Sequence, residues 1–296
     1  MADRESTGYT IGFAAVVCVV CALVVAVAAV GLRSRQEDNA LAFRQKNVLL
    51  AAGLVKPDAA LSDRELQEIF DRHVETRLVE IASGRYEEGG KIDPRTYNQR
   101  RARNDPAMSR AAPPNDAKVA RLPTYGGVFL IRDGTGDKTV QQVVLPIEGI
   151  GMWGTLYGLL AVDRDGKTIR GITFYDQKET PGLGGEIGNP KWQALWVGRH
   201  AYDANWAPKL TVIKGTAGPP ERDPHRVDAI SGATITSNAV SRLVGFWLSG
   251  DGYGPYLKRF REGGNVASGA GPSLAASSAR SGGSAAAAAA SVGARQ

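Results

Sequence analysis

Cysteine is nearly missing from this chain: of 296 residues only Cys18 and Cys21 carry a thiol, and both lie inside one apolar run. The rest of the chain therefore has no disulfide framework and no cysteine-based metal site. Within hydrocarbon, a C-x-x-C pair serves as two small apolar residues. Histidine is sparse too, and His73, His200 and His225 show neither metal-ligand nor catalytic spacing. A long basic stripe is also lacking. The net charge is +6 with a pI near 9.3, an excess that suits solubility and proximity to anionic lipid. Its densest cluster, RTYNQRRAR from Arg95 to Arg103, reads as a solvated loop, so no nucleic-acid partner is expected. No internal repeat is present.

One long hydrophobic run stands out. Ile11 to Leu32 (IGFAAVVCVVCALVVAVAAVGL) carries no charge and exceeds the about 20 residues that cross a bilayer. A cleaved signal peptide is the rival reading, since Ala26-Val27-Ala28 has A-x-A spacing. Secretory apolar regions span only about 7–15 residues behind a basic leader, however, and the leader here is not clearly basic. The run is read as an uncleaved anchor. Arg4 precedes it, and Arg33, Arg35, Arg44 and Lys46 follow it. By charge bias alone the C-terminal part would stay in the cytoplasm, although long domains translocate largely regardless of flanking charge.

The pattern divides the chain into a short N-terminal segment (1–10), a transmembrane helix (11–32), a helical stalk with a polar insertion (33–121), an α+β domain (122–262) and a flexible Gly/Ala/Ser-rich tail (263–296). Arg35 to Leu54 reads as a helix ending at Gly53. Ser62 and Glu65 form the Ser-x-x-Glu capping pattern. They open a predicted amphipathic helix carrying Leu66, Ile69, Phe70, Val74, Leu78 and Ile81, with His73 at its boundary. Residues 84–124 are polar and proline-punctuated, as in a long loop. GVFLIR, TVQQVVLPI and the pair YGLLAV and TIRGITFYD read as strands, the last two joined by a turn at Asp163 to Gly166. Val240, Leu243, Val244, Trp247 and Leu248 form a helical stripe. Strands interleaved with helices define an α+β class.

Three local motifs are candidates for chemistry. The first, Asp228-Ala229-Ile230-Ser231-Gly232-Ala233-Thr234, stands just before the last-named helix. Its hydroxyls suit helix capping. Equally, a helix start attracts anions, Gly232 and Ala233 leave the backbone uncovered, and Thr234 would lie beside a bound phosphate. The second, Glu179-Thr180-Pro181-Gly182-Leu183-Gly184-Gly185-Glu186, is a tight exposed turn at a sheet edge. The third, Gly149 to Gly154, bears the large aromatic Trp153, which suits either the core or the flank of a flat ligand.

Together, in this order and behind one anchor, these motifs resemble the covalent-FMN-binding domain family, and within it the C subunit of the Na+-translocating NADH:quinone reductase. The resemblance runs from the anchor to about residue 262. It implies a single transmembrane helix followed by a compact mixed α/β FMN-binding domain, with FMN joined through a phosphodiester to Thr234. Asp228, Ser231, Gly232 and Ala233 would form the attachment motif. Glu179, Thr180, Gly182, Leu183 and Gly184 would border the isoalloxazine ring, with Trp153 and Gly154 nearby, and Lys214 would offset the phosphate charge. Gln177 and Lys178 stand where many related domains carry a His, and Arg226 and Ala229 depart from the smaller residues expected there.

The resemblance also implies an inner-membrane electron relay with its main domain in the periplasm, contrary to the charge bias. It would receive electrons from the iron–sulfur-bearing D and E subunits and pass them to the B subunit, after maturation by a flavin transferase. The G subunit of an Rnf-type electron-transport complex is the nearest alternative. A membrane-anchored, non-redox binding or assembly module is the other. Thr236 and Ser237 are the alternative hydroxyls for attachment.

Overall fold

The computed structural model describes residues 7–136 and 139–263, with the side chains of 34, 37 and 38 left aside. Residues 1–6 of the expected N-terminal segment and the expected tail from 264 onward lie outside the described residues. Helix α1 (Thr7–Ala51) runs unbroken for 45 residues, so anchor and stalk are one element, about 68 Å long at 1.5 Å per residue. Its portion Thr7–Arg33 is long and apolar enough to cross a membrane, and its most apolar window is unburied by the described residues. Gly53 closes the helix at φ +70°. Leu54 N donates to Leu49 O (3.0 Å) and Gly53 N to Leu50 O (3.1 Å), the paired bonds of a Schellman ending that only a residue tolerant of positive φ readily completes.

The expected capping box is present in α2 (Asp63–His73), where Ser62 accepts from Glu65 N and the Glu65 carboxylate accepts from Ser62 N. The helix stops earlier than its apolar period suggests. Val74–Glu80 is strand β1, so Leu78 lies on a strand and Ile81 just beyond it. Val74 continues the spacing set by Leu66 and Phe70, which imitates a helix. Yet from Val74 onward the backbone gains a full antiparallel ladder, Val74↔Ile131 to Glu80↔Tyr125, and β-branched Val74, Thr76 and Val79 suit it.

The stretch expected as a loop also holds structure. It contains α3 (Gln99–Asn104) and the two-stranded ladder of β2 (Ser109–Ala111) and β3 (Arg121–Pro123). Asn98 caps α3 by accepting from Arg101 N at 3.1 Å. Buried Tyr97, Ala102, Ala117 and Leu122 fasten the segment. These anchors occur singly, between prolines, so no period betrays them.

The strands read from the sequence follow: β4 (Tyr125–Arg132), β5 (Val140–Ile150), β6 (Thr155–Asp163) and β7 (Ile169–Asp176). They and β1 form one antiparallel five-stranded sheet in the order β1-β4-β5-β6-β7. Alternate residues point to opposite faces, and both faces are covered. Val128, Leu130, Val143, Leu145, Leu156 and Leu160 belong to the larger core. Phe129, Ile131, Val144, Leu159 and Ala161 pack with Val48, Leu49, Leu66 and Phe70 of the stalk and α2. Beyond β7 come α4 (Pro190–Ala194), the parallel pair β8 (Thr211–Ile213) and β9 (Arg226–Asp228), α5 (Thr234–Leu248) and α6 (Gly254–Gly263). All five apolar residues of the predicted stripe on α5 are buried in the larger core. The result is the expected α+β class on an apolar N-terminal helix.

Candidate functional site: three glycine-rich turns on one carboxylate

The chain leaves edge strand β7 and turns back at Thr180, whose carbonyl accepts from Leu183 N (3.1 Å) and Gly185 N (2.9 Å). Gly182 supplies the positive φ of +74° that this turn requires. Glu179, just before it, is 4% exposed, so its carboxylate lies beneath the turn. One oxygen accepts Met152 N and Trp153 N, both at 3.0 Å. The other accepts the hydroxyl proton of Thr236. One buried carboxylate group thus ties the Gly149–Gly154 turn, the Glu-Thr-Pro loop and the first turn of α5 together by hydrogen bonds. Gln177 braces the loop from behind, accepting Glu179 N at 2.5 Å.

Glycine is required around this carboxylate. A Cβ on Gly151 would stand 2.6 Å from Glu179 Oε1, and one on Gly184 would stand 2.5 Å from Thr236 Oγ1. Gly184 is buried beneath the turn, whereas Thr180, Gly182 and Leu183 are exposed upon it.

The Asp228–Thr234 segment is positioned by β9. Asp228 lies in register with Ile213 of β8. Its carboxylate accepts Ala217 N at 2.7 Å and its carbonyl accepts Trp192 Nε1 at 2.8 Å, so it shapes the backbone behind the motif. Lys214, one residue past Ile213, is exposed. Gly232 turns the chain at φ +74°, and Thr234 opens α5 as an exposed residue.

The hydroxyls of the motif do not cap α5. Its N-cap is Ala233, with no side-chain acceptor among the described residues, whereas α2, α3 and α4 are capped by Ser62, Asn98 and Asn189. N–H groups left without a side-chain cap at the start of a 15-residue helix suit an anion. Thr236 and Ser237 are each 2% exposed. Thr236 donates to Glu179, and Ser237 Oγ accepts Ile230 N at 3.2 Å. Of the three hydroxyl-bearing residues on this turn, Thr234, Thr236 and Ser237, only Thr234 is exposed.

An apolar rim surrounds this point. Trp153 is 63% exposed, and Met152, Leu183 and Ile235 are exposed with it. Gly232 abuts Leu183, so close that a Cβ there would stand 3.0 Å from Leu183 Cδ2. The Lys178 side chain lies over Gly154. Ile235 escaped sequence reasoning, Met152 was seen only as part of the Gly149–Gly154 run, and Gln177 only as a departure from the related domains, not as the brace of Glu179. Thr236 was legible only as a spare hydroxyl, because its partner stands 57 positions away.

The residues present fit an FMN group. A helix start without a side-chain cap and an exposed threonine suit its phosphate, Lys178 over Gly154 supplies a cation at the rim, and exposed apolar side chains suit a flat ring. The FMN-binding domain model matches residues 151–249, which contain all three turns but the first two residues of the Gly149–Gly154 segment. The C subunit of the Na(+)-translocating NADH-quinone reductase of Yersinia pestis is 42% identical over 263 residues, covering 88% of this chain and 96% of that protein. The same subunit of Pseudomonas aeruginosa is 40% identical over 266 residues, covering 89% and 99%. The crystal structure of Shewanella oneidensis NqrC superposes with a TM-score of 0.67 at 30% identity, over 77% of this chain and 99% of that one. Fold and site together define a flavoprotein domain of the FMN-binding class, carried on an apolar N-terminal helix. The chain belongs to the family formed by the C subunits of the Na(+)-translocating NADH-quinone reductases.

Proposed function

We propose that this chain is a membrane-anchored electron relay in an NADH:ubiquinone reductase, carrying FMN through a phosphodiester on Thr234 Oγ1. The observation that carries the reading is the contrast among three hydroxyls on one helical turn. Thr236 and Ser237 are buried and bonded inward, while Thr234 is exposed at an uncapped helix start. Bound FMN supplies the redox chemistry, and the protein supplies placement and electrostatics. The α5 N–H groups and Lys214 hold the phosphate. Asp228, Ser231, Gly232 and Ala233 present the threonine to a flavin transferase. Thr180, Gly182, Leu183, Trp153 and Gly154 flank the ring, and Glu179 and Gly184 fix that wall from beneath. The body stands on the periplasmic side of the inner membrane, receiving electrons from the iron–sulfur-bearing D and E subunits and delivering them to the B subunit.

Denaturing gels separate covalent from dissociable flavin. Co-expressed with the transferase, the wild-type chain gives a fluorescent band, and Thr234→Ala gives none. A mass spectrum of the wild-type peptide spanning residue 234 is heavier by one FMN less water. A fluorescent Thr234→Ala band, or an unmodified wild-type peptide, overturns the assignment.

A further inference from the structure

We propose a second binding site, on the sheet face away from the flavin site: a cavity under the stalk that takes an apolar side chain with an adjacent carboxylate from another polypeptide of the reductase. The cavity measures about 340 Å³ and lies between Ala40, Phe43 and Arg44 of α1, the segment from Pro94 to Arg100, and the sheet. Its walls are largely apolar and aromatic, including Phe129, Leu159 and Tyr175. Most of its charges are already engaged. Arg44 donates to the carbonyls of Tyr97 (2.9 Å) and Arg95 (2.5 Å), which clamps α3's approach to the stalk. Glu148 pairs with Arg103 at 2.8 Å.

Arg100 is different. Its Nη1 meets Asp176 at 2.7 Å and its guanidinium lies 3.4 Å from the Tyr157 ring centroid. Its Nη2 is buried without a hydrogen-bond acceptor among the described residues. The lining's own charges, Arg44 and Arg100 against Glu148 and Asp176, balance, and Arg100 Nη2 is the donor left to be met. A buried guanidinium donor with no acceptor in an apolar cavity calls for an occupant that brings an acceptor oxygen, which a carboxylate supplies most strongly, and an apolar body.

Height favours a polypeptide over a lipid. The apolar span is 27 residues, Thr7–Arg33, about 40 Å at 1.5 Å per residue, which already matches a bilayer including its headgroups. Ala40 and Arg44 stand roughly 10 and 16 Å further along the helix, above the reach of acyl chains. At the same level α1 keeps Leu41 and Phe43 exposed, at 42% and 51%, where a lone stalk in water has no use for them. The proposal rests on family membership within a multi-chain complex and not on the flavin linkage.

The test places a photo-crosslinking amino acid at Phe43 in the assembled complex in native membranes. The expected product is an adduct with another polypeptide of the complex, at a peptide in which an apolar residue neighbours Asp or Glu. Arg100→Glu lowers its yield about tenfold, equivalent to about 1.4 kcal/mol of docking, and Arg exchanged for the partner's carboxylate restores it. Gel flavin fluorescence in Arg100→Glu reports that the body is folded and loaded, so loss of flavin chemistry and loss of docking are read separately. Adducts with phospholipid or a small molecule alone, or a yield indifferent to Arg100→Glu and to the exchange, overturn the proposal.

Discussion

The two faces of the central sheet are built by opposite means. On the α5 face, three glycine-rich turns converge on one carboxylate, and the exposed rim is apolar. On the stalk face, arginines on long side chains span distant segments, as Arg44 does to Arg95 and Tyr97, Arg103 to Glu148 and Arg100 to Asp176. The first face holds a cofactor close to backbone, so small residues and fixed turns matter. The second joins an anchor helix to the body, so reach and charge matter. Substitutions at three places sharpen this contrast, taken from the largest expected effect downward.

Glu179→Ala removes the shared acceptor of the α5 face. Two backbone N–H groups and a hydroxyl then lose a buried carboxylate partner, and unfolding of the full chain in detergent is expected to be easier by about 3 kcal/mol. Thr236→Val cuts only one of those bonds and costs about 1–2 kcal/mol. In the double variant the Thr236 effect largely disappears, because the two share one interaction. By contrast Thr234→Ala, at the residue proposed to carry the flavin, leaves unliganded stability within about 0.5 kcal/mol, since it replaces an exposed side chain with no capping bond. Strictly additive losses from Glu179→Ala and Thr236→Val would show that the carboxylate does not unite the turns.

That asymmetry also explains what the sequence made legible. Asp228 to Thr234, Glu179 to Glu186 and Gly149 to Gly154 are contiguous motifs, so each was visible as a local run. Their joining was not, because Glu179 meets Thr236 and Met152 across 57 and 27 positions. The same applies more strongly to the stalk face. Arg44 and Arg95 are separated by 51 positions, and RTYNQRRAR therefore looked like a solvated loop, although Tyr97 and Ala102 in it are buried. The ending of α2 misled for a different reason. Val74 satisfies the helical period and the strand alternation at once, and only its ladder with Ile131 decides between them. The strands from β4 to β7 and the stripe of α5 were legible because burial on known faces imposes their period directly.

Gly171→Ala tests the stalk face by packing alone. Gly171 lies on β7, where an added Cβ would run into the carbonyl oxygen of Ala51, at the end of α1. That oxygen belongs to backbone fixed by the Schellman ending, so it yields only if the helix end moves. A loss of about 2 kcal/mol is expected, with the flavin band at full intensity. Loss of covalent flavin from this variant would show that the two faces are coupled rather than separately built.

Glu148 carries the smallest of the three effects and the sharpest dependence on conditions. It projects from β5 toward the stalk face at 5% exposure, and burial pushes its carboxyl up from the ordinary glutamate range, opposed by the Arg103 guanidinium. A folded-state value above the unfolded one means that the native chain holds this proton more tightly. The group therefore favours folding fully below the ordinary glutamate pKa of about 4.3, and that contribution is lost as pH rises through the raised value. Glu148→Gln removes the titration while keeping the shape. Thermal unfolding of both chains in detergent between pH 7 and pH 4 should show the wild type gaining on the variant as pH falls through that window. A gap that stays flat would mean that Arg103 fully offsets the burial. A gap closing in the opposite direction would mean that the ion pair governs this carboxyl, and the stalk face would then be held together by charge more than by packing.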